Sequence, residues 1–289
     1  MKSILIVGNT SMLGKRLIAR LSGENRVVTA GRNEKADLFF DLEEGPQAVP
    51  DDFRCDVLVH CAASFEGDNL PGAIENERIN SLGAFYVANL AKGTSCKHLI
   101  YISSISAYRH QENEYYGSYG ISKSHGEDNL ELSCRLLNIC FTSMRLSQLY
   151  DEFGEARRHQ PMLYDLIDKV SRGQDIVFYG TKDRVRNYIF IDDVVTVVEK
   201  IIDTGLTGAF PVIFPRSYTF TQIAEIAYEV FRTKGGISFL KDKPDIKSVY
   251  IPPLPDLYSH IGYVPETDLR SGLSLIRDNF DLNPGSPLL

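Results

Sequence analysis

The run Ile4-Leu5-Ile6-Val7 passes directly into Gly8-Asn9-Thr10-Ser11-Met12-Leu13-Gly14, and Leu13, Leu17 and Leu21 then recur at four-residue spacing. A short, fully apolar run containing β-branched residues and closed by turn residues predicts a parallel strand buried on both faces. The leucine spacing predicts a helix beyond the turn, with Gly23 as its stop. A strand, a glycine turn and a helix N-terminus in that order make an anion site, where backbone N–H groups and the helix dipole face a pyrophosphate. Gly8, Thr10, Ser11, Met12, Leu13 and Gly14 are the expected cofactor-binding turn. Ser11 stands where a middle glycine is usual, and its hydroxyl can meet a phosphate.

The pattern repeats along the first half of the chain. Residues 26–30 predict a second strand ending in Gly31-Arg32-Asn33. An acidic residue here would bond the ribose 2′-hydroxyl of NAD; none is present, and Arg32 is placed to meet a 2′-phosphate. NADP is therefore expected over NAD, with a solvated surface arginine as the plain alternative. Leu38-Phe39-Phe40 reads as a third strand, closed by Asp41-Leu42. Val57-Leu58-Val59-His60-Cys61 reads as a fourth, followed by the small pair Ala62-Ala63, and His60 reads as a satisfied core histidine. A helix is expected over 73–92 with Asn80 and Gly83 near its middle, then a fifth strand at Leu99-Ile100-Tyr101-Ile102 ending in Ser103-Ser104. Strands alternating with helices predict an α/β fold with a doubly wound parallel sheet, whose ligands bind at the carboxyl ends of the strands. Arg32, Ala62-Ala63 and Ser104 all fall at such ends.

Tyr119 and Lys123 stand four residues apart inside a predicted helix, on one face. A free tyrosine titrates near pH 10, too high for efficient acid–base work near neutrality. Lowering it by about 3 units takes about 4 kcal/mol. One ammonium about 4 Å away supplies about 1 kcal/mol in bulk water and about 4 kcal/mol at an effective dielectric near 20. The pair is functional only in a sheltered cleft; the plain alternative is an amphipathic helix that happens to carry both residues.

Composition narrows the partners. The net charge of -7 argues against nucleic acid or an anionic membrane surface. The five cysteines contain no Cys-x-x-Cys and the six histidines no metal-ligand spacing, so no disulfide framework or zinc site is expected and a reduced, cytoplasmic setting fits. No signal-peptide pattern and no bilayer-spanning apolar run is read.

The ordered set Gly8–Gly14, Asp41-Leu42, His60-Cys61-Ala62-Ala63, Asn80 with Gly83, Ser103-Ser104, and Tyr119 with Lys123 resembles the extended short-chain dehydrogenase/reductase family. That family holds nucleotide-sugar epimerases, dehydratases and ketoreductases. The likeness continues in Arg145-Leu146-Ser147-Gln148-Leu149-Tyr150-Asp151, similar to the family's Arg-Pro-x-Asn-x-Tyr-Gly with departures at Leu146, Gln148 and Asp151. It continues again in Arg186-Asn187-Tyr188-Ile189-Phe190-Ile191-Asp192-Asp193, similar to Arg-Asp-x-Ile-x-Val-x-Asp.

The resemblance implies that Ser104, Tyr119 and Lys123 are catalytic, with Ser103 and Ser106 as decoys. It implies that Asp41, Leu42, Cys61, Ala62, Ala63 and Asn80 join the turn, Tyr119 and Lys123 in holding the cofactor. Ser104, Gln148, Arg184 and Arg186 are implied to meet a nucleotide-sugar substrate, and a homodimer is implied through the helices 73–92 and 119–137. The expected organisation is a Rossmann domain at 1–150 and 187–217 and a smaller α/β substrate domain at 151–186 and 218–289, with Asn283-Pro284-Gly285-Ser286-Pro287 as a loose tail. The leading expectation is an NADP-preferring reductase of a 4-keto sugar nucleotide. The alternatives are an NAD-dependent 4-epimerase and, from another class, a non-catalytic dinucleotide sensor.

Overall fold

Hydrogen bonding assembles the apolar runs into one parallel sheet. In the computed structural model, which describes residues 1–44, 49–50 and 53–282, β1 (Ser3–Val7) is followed by α1 (Met12–Leu21), β2 (Arg26–Gly31), β3 (Leu38–Phe39) and β4 (Val57–His60). A helical run passes from α2 (Leu70–Asn76) through a π-helical segment (Glu77–Leu82) into α3 (Gly83–Gly93). Then come β5 (His98–Ser104), α4 (Ser118–Leu137) and β6 (Cys140–Leu146). The sheet order is Gly208–Val212, β6, β5, β4, β1, β2, β3, and every neighbouring pair is parallel. This is the doubly wound Rossmann arrangement, with the order reversing at β1 and β4, where such sheets open a crevice at the carboxyl ends.

Burial on both faces explains why β1 does not alternate: Ile4, Leu5 and Ile6 are fully buried. Leu13, Leu17 and Leu21 are the buried stripe of α1. Pro211 is tolerated in its strand because that strand lies at the sheet edge. Gly8 turns with φ +91°, and a Cβ there would stand 2.6 Å from the Ala62 nitrogen. Only glycine fits at that point, where the end of β1 meets the residues following β4. The helix expected over 73–92 forms, but is longer and contains the π-helical segment with Asn80 in it. Gly126 of α4 packs so close that a Cβ would lie 2.3 Å from the Asn80 carbonyl oxygen.

The chain divides into two compact units, one comprising Met1–Leu146, Val195–Val212 and Pro255–Tyr263, the other Ser147–Val194, Ile213–Leu254 and Val264–Leu289. These boundaries differ from the expected ones for a reason of strand pairing. Gln148–Tyr150 pairs with Tyr188–Phe190 and not with the large sheet, so both segments belong to the second unit. The second unit holds further two-stranded pairings, Ile176–Tyr179 with Ile237–Leu240 and Val185–Arg186 with Tyr218–Thr219. Its helix Phe220–Phe231 opens on a capping box in which Thr219 and Gln222 satisfy each other's backbone N–H. Tyr150, Tyr164, Ile167, Phe220, Ala224 and Leu273 are buried within it. The expected tail at 283–287 lies outside the described residues.

Candidate active site

The glycine turn closes on itself. Gly8 N–H donates to the Ala30 carbonyl at 3.0 Å and Ser11 N–H to the Gly8 carbonyl at 3.0 Å. The Ser11 hydroxyl donates to the same carbonyl at 2.8 Å and accepts from Gly14 N–H at 3.0 Å. The Ser11 hydroxyl is thus the N-cap of α1 and bonds within the turn. Met12 and Leu13 carry first-turn N–H groups, which have no acceptor within an α-helix. The turn fits a dinucleotide pyrophosphate through these backbone groups, with Thr10 exposed beside them. Cys61 N–H pairs with the Val7 carbonyl at 2.8 Å, which sets the Cys61-Ala62-Ala63 backbone beside the turn.

At the end of β2, the exposed Arg32 is ion-paired with Glu43 at 2.8 Å, and the other Glu43 oxygen holds Arg78 at 2.8 Å. Glu43 N–H donates to the Asp41 carboxylate at 2.9 Å, while Leu42 is buried. Asn33 donates its side-chain amide to Asn9 at 2.8 Å, linking the end of β2 to the glycine turn. Sequence reading identified Arg32 but missed Glu43, which stands eleven residues further on.

The ends of β5 and α4 bring the expected three residues together. Ser104 closes β5, and its side chain acts on the phenol of Tyr119, which stands in the first turn of α4. Lys123 is 1% exposed; its Nζ donates to the Ile102 carbonyl at 2.6 Å and stands 4.1 Å from the centre of the Tyr101 ring. Burial pulls the Lys123 ammonium down to about 7, against an opposing influence from Glu127 and Cys61. Burial pushes the Tyr119 phenol up to about 12, while the Ser104 side chain pulls it down. The expected lowering of Tyr119 by Lys123 is thus reversed here, because desolvation dominates the phenol and the ammonium donates to a backbone carbonyl.

The decoy serines separate cleanly. Ser103 points to Glu127, which is bound by Arg145 at 2.6 Å, and Ser106 gives only its N–H to the Ser104 hydroxyl, at 3.1 Å. His60 is a core residue, 1% exposed and stacked on Tyr101 with centroids 5.3 Å apart. Neither of its ring nitrogens has a protein hydrogen-bond partner, so "satisfied" was the wrong expectation, and burial holds it down to about 3. Asn80, expected at the cofactor, is tied to two protein segments. Its two amide N–H groups go to the Ser64 carbonyl at 2.9 Å and the Ser122 hydroxyl at 3.0 Å, and its oxygen accepts from Ser64 N–H at 2.8 Å.

Within the second unit, Arg186 is fully buried. Its guanidinium donates to the Val185 and Lys247 carbonyls at 2.9 and 2.7 Å and lies 4.7 Å from the Phe220 ring centre. It is an internal residue, because an arginine fork finds both carbonyl acceptors and an aromatic face there. Gln148 donates to Gln160 at 3.0 Å, and Arg184 is half-buried. Among the described residues no cluster of three or more His, Cys, Asp or Glu could hold a metal, and no helix is long and apolar enough to cross a membrane.

The profile of the NAD dependent epimerase/dehydratase family matches residues 4–212, and the chain belongs to that family. It is accordingly an enzyme of an NAD(P)-dependent family. Over 307 aligned residues it is 22% identical to a putative UDP-glucose 4-epimerase of Methanocaldococcus jannaschii, covering 94% of this chain and 96% of that one. The fold is shared with a UDP-N-acetylglucosamine 4-epimerase from Bacillus cereus, at TM-score 0.80 and 17% identity over 100% of this chain and 99% of the other. It is also shared with a UDP-glucose 4-epimerase of Thermus thermophilus solved with NAD, at TM-score 0.75 and 16% identity over 99% and 100% of the two chains.

Proposed function

We propose that this chain is an NADP-preferring oxidoreductase that reduces a 4-keto nucleotide-diphosphate sugar. The observation that carries the reading is the placement of Ser104 at the end of β5 where its side chain acts on the Tyr119 phenol, with Lys123 buried one turn further along the same helix. The bound dinucleotide supplies the hydride. Tyr119 gives its phenolic proton to the substrate carbonyl oxygen as charge gathers there, leaving a phenolate that is reprotonated from solvent. A phenol pushed up to about 12 keeps its proton at neutral pH, as a proton donor must. Ser104 donates to the same substrate oxygen, and Lys123, held on the Ile102 carbonyl, is the proposed contact to the nicotinamide ribose. Ile105-Ser106 after Ser104 supply no carboxyl group, so the acid that a dehydration needs is missing from that position.

Arg32 takes the 2′-phosphate in this reading by exchanging Glu43 for it. An exposed ion pair contributes about 0–1 kcal/mol, so a phosphate competes with it readily. Gln148, Arg184 and Arg186 are the proposed contacts to the nucleotide-sugar; for Arg186 this requires displacement of the Lys247 carbonyl. The protein is proposed to be a cytoplasmic homodimer. All five cysteines are free, and Leu82, Phe85, Leu132 and Leu136 are exposed apolar residues on the helical segments of the first unit.

A second reading, an NAD-dependent 4-epimerase, is favoured by the Arg32–Glu43 ion pair and by the activities named for the relatives. One experiment separates them. A 4-keto-6-deoxy sugar nucleotide is supplied with NADPH and absorbance is followed. In parallel, UDP-glucose and UDP-N-acetylglucosamine are incubated without added reductant. NADPH consumption in the first tube supports the reductase; epimer in the second with no consumption in the first establishes the epimerase.

A further inference from the structure

Two asparagines one turn apart make the same three hydrogen bonds. Asn76 accepts from Glu66 N–H at 2.9 Å and donates to the Glu66 carbonyl at 3.1 Å and to the Ser118 hydroxyl at 3.1 Å. Asn80 accepts from Ser64 N–H at 2.8 Å and donates to the Ser64 carbonyl at 2.9 Å and to the Ser122 hydroxyl at 3.0 Å. Each side chain thus spends both donors and one acceptor site of its amide. The bound loop residues are two apart and the bound serines four apart, so the two amides form parallel rungs between the loop after β4 and the first turns of α4.

Both rungs bracket the reacting tyrosine. Ser118 precedes Tyr119, and the Ser122 hydroxyl donates to the Tyr119 carbonyl at 2.9 Å. Between the two bound loop residues stands Phe65, whose ring meets the Tyr119 ring at 4.6 Å between centroids and 71° between planes. The start of α4 is tied to the same loop twice more: the Ser118 hydroxyl donates to the Gly67 carbonyl at 3.3 Å, and Ser118 N–H donates to the Asp68 carboxylate at 2.7 Å, where the N-cap Gly117 has no side chain to do so. Asn76 and Asn80 are 0% and 2% exposed, so these bonds form away from water.

We propose that Asn76 is a positioning residue for proton transfer: through Glu66 and Ser118 it fixes the Phe65–Tyr119 ring pair at the reaction site. This rests on Tyr119 being the proton donor. A substrate carbonyl must come within hydrogen-bond reach of the Tyr119 hydroxyl. A loop freed from its rung lets Phe65 and the first turn of α4 drift, and a displacement of about 1 Å costs up to about 100-fold in rate. The glycine turn, which takes the pyrophosphate in this reading, lies outside the rung.

The test compares wild type, Asn76→Ala, Ser118→Ala and Tyr119→Phe. Hydrogen exchange is followed in peptides covering 61–68 and 116–122, alongside NADPH affinity and turnover of whichever nucleotide sugar the wild type accepts. Asn76→Ala is expected to raise exchange in both peptides and to lower kcat about 10- to 100-fold. NADPH affinity should stay within about twofold, since no turn residue is changed. Ser118→Ala, which removes one hydroxyl, should give a smaller change of the same sign and keeps the question open to measurement if Asn76→Ala does not fold. Faster exchange confined to 61–68, or a lower Tm with kcat unchanged, overturns the proposal. Exchange is read without turnover, so it judges the clamp separately from the chemistry; a fully active Tyr119→Phe would strike the reading of Tyr119 itself.

Discussion

Lys123 donates its Nζ hydrogen to the carbonyl oxygen of Ile102 at 2.6 Å, two residues before Ser104 at the end of β5. The ammonium is thereby held at the end of β5 by the backbone of the strand that presents the serine. It is also buried, and both facts have consequences that can be measured.

Stability should depend on pH through Lys123. Its folded-state value is depressed to about 7 from an ordinary 10.5, with burial as the largest cause. Between those values the unfolded chain binds a proton that the folded chain does not, so stability rises with pH across that window. Replacing Lys123 by Met removes the dependence. The variant should exceed wild type most below pH 7, and the gap should narrow by on the order of 3 kcal/mol between pH 6 and pH 9. Urea unfolding at the two pH values checks it; a gap independent of pH contradicts the burial of a titrating lysine.

Cofactor choice should turn on Glu43. Glu43→Gln removes the carboxylate that occupies Arg32. Affinity for NADPH is expected to rise by about threefold to tenfold relative to NADH, since a phosphate then meets an uncompensated guanidinium. Arg32→Ala should remove any preference for NADPH. Fluorescence titration of both reduced cofactors against the three proteins measures this. Equal affinities throughout would place Arg32 outside the cofactor site.

Much of this architecture was legible because its signals are local. The apolar run at Ile4–Val7, the glycine turn and the leucine spacing of α1 each lie within a few residues, and all three formed as read. Tyr119 and Lys123 share a helix face by spacing alone. The errors fell where distant residues meet. Asn76 contacts Glu66 ten residues away and Ser118 forty-two away, and no periodicity announces either bond. Arg186 was expected at a substrate phosphate by resemblance, and its enclosure by Phe220 and the Lys247 carbonyl is not announced by its neighbours in sequence. Ser103 and Ser104 must face opposite sides of β5, but only the position of Glu127 tells which side is which.

Self-association should depend on the exposed apolar residues of α4. Leu132 and Leu136 are 42% and 72% exposed there. Leu136→Glu would place a charge in any interface built on that helix face and should shift a dimer toward monomer by at least about tenfold in Kd. Sedimentation velocity across micromolar concentrations reads the change. A wild type that is monomeric throughout removes the proposed dimer.

The central claim is that Tyr119 moves the proton. Tyr119→Phe keeps the ring that packs on Phe65 and deletes only the hydroxyl. Turnover of whichever nucleotide sugar the wild type accepts should fall by about 100-fold or more, the usual cost of losing a general acid or base. Cofactor affinity should stay within about twofold, because the backbone groups of the glycine turn are intact. Wild-type turnover in Tyr119→Phe would contradict the account directly.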